Sequence, residues 1–175
     1  KGQPNLNLSA AYPMGTIWDV QWVRIDDPTA ATQSCFEQGA ARGGAGFSRL
    51  EGAWWGDRTG FFLTTNGGVA GEGQVFEYDP RAETVKLIYD APNGNEVDNP
   101  DNITVTPRGG LLLCEDAAGN NFLEGERLVG LTLDGETIEI LTTRDRDDPD
   151  ALYVLRHSAA HLLAEAVRQL YPGVK

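Results

Sequence analysis

The sequence predicts a mainly β fold, a partial β-propeller of about two four-stranded blades, finished by a C-terminal α-helix. Three observations carry that expectation. Short runs of β-branched, aromatic and aliphatic residues fill positions 47–141, separated by Gly, Asn, Asp and Pro clusters. The runs recur as two sets of four, offset by about fifty residues. After Asp148-Pro149-Asp150 the apolar spacing changes to a helical period and keeps it through Leu170.

Residues 1–46 form an irregular N-terminal stretch with one strand, Trp18 to Ile25. Within it, Gln38 to Gly46 (QGAARGGAG) reads as a loop, because its glycines permit close backbone approach. The first set of strands is Phe47 to Trp55, Gly60 to Thr65, Gly73 to Asp79 and Thr84 to Tyr89. Their connectors, such as Asn66-Gly67-Gly68 and Asp79-Pro80, supply a positive φ or a fixed one. The second set is Asn102 to Thr106, Leu111 to Glu115, Arg127 to Leu133 and Thr137 to Leu141. The offset brings Glu51 opposite Asp101, and Phe61-Phe62-Leu63 opposite Leu111-Leu112-Leu113. Four antiparallel strands per roughly 40–50 residues mark a propeller blade, although an ordinary meander or sandwich shares that spacing. A propeller ring needs about four to eight blades, so two leave sheet edges open to self-association unless the C-terminal helix covers them. Local signals bound that helix at both ends. Asp148 suits the N-cap, Pro149 the first turn, Leu152, Leu155, Ala159, Leu162 and Leu163 one face, and Pro172-Gly173 the stop. The division is therefore 1–46, 47–135 for the blades, and 136–175 for a strand and helix.

The bulk properties narrow the function. A chain of 175 residues, 41% hydrophobic and 23% charged, suits one soluble globular domain. No apolar run reaches the roughly 18 residues of a membrane span. The net charge of −12 argues against nucleic acid, whose phosphates need clustered Lys and Arg. Acidity fits solubility alone, or carboxylates that hold a hard cation such as calcium. The two cysteines, Cys35 and Cys114, lack CxxC spacing and are too few for a cysteine zinc site. The chain opens at Lys1 and its only methionine is Met14, so it reads as an internal fragment with any targeting segment upstream.

Three acidic clusters are candidates for chemistry: Glu51 in Arg49-Leu50-Glu51-Gly52, Asp98 to Asn102, and Cys114-Glu115-Asp116. Oxygens converging from equivalent strand ends are what calcium, with six to eight ligands, requires. The alternative is that these are turn formers and solvated strand ends. An acid amid Phe47, Trp54 and Trp55 is costly to bury without a partner. His157 and His161, one turn apart with Glu165 on the same face, could grip a transition metal or simply occupy a solvated face.

Several ordered motifs then resemble a known family. They are Phe47-Ser48-Arg49-Leu50-Glu51-Gly52-Ala53-Trp54, Phe62 to Gly68, Gly73 to Pro80, Pro100-Asp101-Asn102-Ile103 and Pro107 to Asp116. Over about residues 11–135 they resemble the PhoX-type alkaline phosphatases of bacteria. The resemblance implies a β-propeller phosphomonoesterase that uses calcium and iron and is periplasmic or secreted, with a phosphate ester as substrate. It makes Glu51 a metal ligand and adds Asp101, Asn102, Glu115 and Asp116 as further metal-site candidates. From about residue 138 the chain, with Tyr153 to Ala166, resembles threonyl-tRNA synthetase instead. There His157 and His161 match the pair in the editing pocket that hydrolyses mischarged seryl-tRNA. Neither resemblance covers its family's whole working site. The expectation is therefore a metal-dependent phosphatase fragment with an incomplete site; the alternatives are a non-catalytic calcium-binding β-repeat and a synthetase editing fragment.

Overall fold

The computed structural model describes residues 4–115 and 127–138. All of them fall in one compact unit, Lys1–Glu139. The expected C-terminal helix, with His157 and His161, lies outside the described residues, as do Asp116 and the expected strand residues from 139 onward. Among the described residues the fold is mainly β, with two antiparallel sheets and one short helix.

The first sheet contains β1 (Ile17–Asp19), β2 (Leu50–Trp55), β3 (Gly60–Thr64), β4 (Gln74–Asp79) and β5 (Thr84–Asp90), in the order β1-β5-β4-β3-β2. The second contains β6 (Pro100–Val105), β7 (Leu111–Glu115), β8 (Leu128–Leu131) and β9 (Thr137–Ile138), in sequential order. Strands β2–β5 form an antiparallel meander with β1 added beside β5, and in the second sheet each strand pairs antiparallel with the next in sequence. The first sheet's core gathers Leu8, Phe76, Val85 and Leu87, with Phe47 and Phe62 packed on it. The Phe62 and Phe76 rings stack at 5.2 Å, and Phe47 meets Phe76 edge-on at 5.3 Å. In the second sheet Ile103, Leu111, Leu113, Val129 and Leu131 are buried.

Two local expectations are corrected. The strand foreseen over Trp18 to Ile25 is only β1, because its partner runs out. Val20 N–H donates to Glu83 O at 2.8 Å, in the turn before β5 begins. The stretch expected to be a loop from Gln38 begins inside a helix, α1 (Cys35–Ala41). Ser34 and Glu37 form a reciprocal capping box that satisfies the first free N–H groups and starts the helix. Gly44 N–H then returns to Gly39 O at 2.9 Å and ends it.

The edge strands β2 and β6 of the two sheets pack against each other. Gly52 allows this. A Cβ there would stand 2.6 Å from Asn102 Cα and 2.8 Å from Asn102 Oδ1.

Candidate metal centre

The strands carrying Glu51 and Asp101 begin in the same way, fifty positions apart. Arg49 precedes β2 in the left-handed region at φ 51°, and Asn99 precedes β6 at φ 46°. That conformation is strained for a side-chain-bearing residue, less so for asparagine. Arg49 O accepts from Thr65 N at 2.9 Å, and Asn99 N donates to Glu72 O at 3.1 Å, so the start of each strand is held. Each strand then bulges at its acid. Leu50 pairs with Thr64 but Ala53 with Phe62, leaving Glu51-Gly52 opposite a single residue. Pro100 pairs with Glu115 and Asn102 with Cys114, leaving Asp101 unmatched. A bulge breaks the alternation of side chains and re-aims them.

Glu51 is exposed rather than buried among the aromatics, because β2 is an edge strand with Trp54 and Trp55 also open to solvent. Arg49 Nη2 lies 3.7 Å from Glu51 Oε1. Asp101 and Asn102 are exposed too, and Asn102 Oδ1 accepts from Ile103 N at 2.8 Å. Cys114 is the cross-strand partner of Asn102 and is also exposed; sequence reasoning did not connect the two.

The donor chemistry of Glu51, Asp101 and Asn102 fits calcium, a hard cation that takes oxygen ligands, and the carboxamide is seated in the space left by Gly52. It falls short of calcium's six to eight ligands. Among the described residues no group of three or more His, Cys, Asp or Glu is placed to hold a metal ion, so iron finds no set there.

Glu115 has a different place. It is 5% exposed and shares the inward face of β7 with Leu111 and Leu113. Arg127 engages both its oxygens, Nε donating to Oε2 and Nη2 to Oε1, each at 2.6 Å. Oε1 also accepts from Asp98 N at 2.8 Å. Nearby, burial and then the charge of Asp98 raise the pKa of Glu72 above the usual carboxylate value. Burial likewise raises Asp90, against the backbone N–H of Val69 and the side chain of Gln74. A cavity of about 620 Å³ beside β1, lined by Leu8, Trp18 and Arg42, contains none of the predicted site residues.

The chain matches the alkaline phosphatase PhoX family over residues 6–152, well over half of its length. It belongs to the PhoX family. The family is generally metal-dependent and typically secreted or periplasmic. The PhoX match runs past residue 135, the bound of the resemblance read from the sequence. The same chain is also similar to curated threonine–tRNA ligases. The Caulobacter (strain K31) enzyme is 56% identical over 41 residues, 23% of this chain and 6% of the ligase. The Rubrobacter xylanophilus enzyme is 50% identical over 74 residues, 41% of this chain and 11% of the ligase. The Parvibaculum lavamentivorans enzyme is 33% identical over 78 residues, 39% of this chain and 12% of the ligase. The chain thus spans only about a tenth of the length of these relatives. No solved structure matched it. Among the described residues no helix is long and apolar enough to cross a membrane.

Proposed function

We propose that this PhoX-family chain contributes to phosphomonoester hydrolysis by presenting Glu51, Asp101 and Asn102 to a calcium ion. The observation that carries the reading is the matching start of two strands that pack side by side: a left-handed residue, then a bulge at an acid. Strain of this kind persists only where surrounding contacts enforce it, and it gathers at functional sites. In this reading β2–β5 and β6–β9 are successive propeller blades, with β2 and β6 innermost, so that equivalent acids line one channel.

Calcium, when bound, would supply charge neutralisation for phosphate oxygens. The chain's own part is positional. Glu51 and Asp101 provide anionic oxygens from adjacent strands, and Asn102 a neutral one held by its own backbone contact. The Arg49 guanidinium, beside Glu51, provides a fixed positive charge toward an anionic substrate. Phosphoryl transfer depends almost wholly on such positioning and electrostatics, so three donors are expected to support cation binding and at most feeble turnover. Iron is carried by the family resemblance alone.

The test is terbium(III) luminescence, a stand-in for calcium that Trp54 and Trp55 can sensitise, alongside hydrolysis of p-nitrophenyl phosphate. Saturable luminescence that calcium displaces, weakened at least tenfold in Glu51→Gln and Asp101→Asn, is expected. Unsaturable luminescence, or equal binding in both variants, would sink the site. Robust metal-dependent turnover lost in Glu51→Ala would show that the site is more complete than proposed.

A second reading concerns residues 138–175 and is favoured by the threonine–tRNA ligase similarity. There His157 and His161 would act as an editing pair; release of serine from mischarged tRNA, lost in His157→Ala, would promote it. The acidic surface makes that release unexpected in this chain alone.

A further inference from the structure

We propose that Arg127 is a positioning residue for the Asp101–Asn102 side of the cation site, acting through Glu115. The proposal rests on the calcium reading above. The guanidinium joins two parts of the fold that are distant in sequence. From the start of β8 it grips Glu115 at the end of β7 through two parallel hydrogen bonds. Two further donors reach back to the β5–β6 connection, Nη1 to Asn95 O at 2.6 Å and Nη2 to Gly94 O at 3.0 Å. Glu115 completes the clamp by accepting from Asp98 N, and the main chains close it where Glu115 N donates to Arg127 O at 3.1 Å.

The clamp bears on the cation site because the Asp101 bulge lies three residues beyond Asp98, reached through left-handed Asn99. Asn99 Nδ2 donates to Glu72 Oε2 at 2.9 Å, Asn66 donates to Asn99 Oδ1 at 2.8 Å, and Thr65 Oγ1 donates to Pro100 O at 3.0 Å. The segment 98–100 is therefore held from three directions, and Glu115, the acid of the ion pair, is itself buried. A buried ion pair is a poor device for stability alone, since well-packed apolar residues often serve as well. A planar fork that meets a carboxylate and two carbonyls at once fixes geometry, which apolar packing does not. Ligand-supporting groups of this kind typically alter metal affinity by about 10–100-fold when lost.

The experiment uses the full chain in three forms: unmutated, Arg127→Lys, and the double variant Glu115→Leu/Arg127→Met. Lysine keeps the charge but not the fork, and the double variant replaces the pair with apolar volume. Terbium affinity, thermal melting and amide exchange at Asp98 to Asn102 are measured on each. Arg127→Lys is expected to bind terbium about tenfold more weakly and to exchange faster at Asp98 to Asn102. The double variant is expected to recover melting temperature without recovering affinity. Full affinity in the folded double variant, or unchanged exchange in Arg127→Lys, would overturn the proposal. If the unmutated chain fails to bind terbium while Arg127→Lys still exchanges faster at these amides, the calcium reading falls and the clamp stands as a determinant of the Asp101 bulge.

Discussion

Substituting Gly52 by alanine tests the contact that brings the two halves of the candidate site together. The added Cβ would stand 2.6 Å from Asn102 Cα and 2.8 Å from both Asn102 Oδ1 and Ile103 N. Carbon atoms in ordinary contact sit about 3.5–4.0 Å apart, so β2 and β6 must separate by roughly 1 Å. Two of the three obstructing atoms are backbone and cannot swing aside. Overpacking of this kind costs about 1–3 kcal/mol, and alanine returns about 0.4–1 kcal/mol by stiffening the unfolded chain. The net loss of about 1–2 kcal/mol corresponds to a melting temperature lower by about 2–8 °C in a chain of this size. Terbium affinity should fall as well, since Glu51 and Asn102 move apart. Gly46→Ala is the control: a Cβ there meets nothing within 4 Å. It should melt at or up to about 4 °C above the unmutated chain, since only the gain from the unfolded state applies. If Gly52→Ala melts and binds terbium as Gly46→Ala does, the close approach of β2 and β6 is refuted.

Three further outcomes are expected. Phe76→Ala removes a fully buried ring stacked on Phe62 and should cost about 3–5 kcal/mol, read as a melting temperature lower by about 10 °C. Glu72 has a raised folded-state pKa, so the folded chain retains its proton more readily than the unfolded chain, and stability falls as pH rises from about 4.5 through that pKa. Glu72→Gln should flatten that slope and leave the chain slightly more stable at neutral pH, by well under about 1 kcal/mol because the group is largely solvated. Urea melts at pH 4, 5, 6 and 7 check the sign. Ser34→Ala removes the acceptor of the Glu37 N–H and should cost about 1 kcal/mol, seen as faster amide exchange at Glu37 with no change in terbium binding.

The strand pattern was legible in the amino-acid sequence because hydrophobic period and turn chemistry are local. Leu111–Glu115 was recovered to the residue, and Thr84 and Gly60 start their strands as expected. The repeat offset of about fifty residues was legible as well, and β2 and β6 start alike at that spacing, since an offset needs no tertiary information. Helix α1 was signalled by Ser34 and Glu37, three apart, but the glycines after Gln38 drew attention away from it. Glu115 read as a metal-site candidate or a solvated strand end; its period-two parity with Leu111 and Leu113 was the signal for its burial, and its partner Arg127 was not legible. Tertiary structure alone decided the rest. Arg127 reaches Gly94, Asn95 and Glu115 because β7 and the start of β8 fold back onto the connection between β5 and β6, and no spacing rule encodes a contact of that span. The bulges that re-aim Glu51 and Asp101 depend on which residue of the neighbouring strand each one faces. The seat of Asn102 against Gly52 exists only when β2 and β6 meet, because a missing Cβ becomes a binding surface only once another strand fills it.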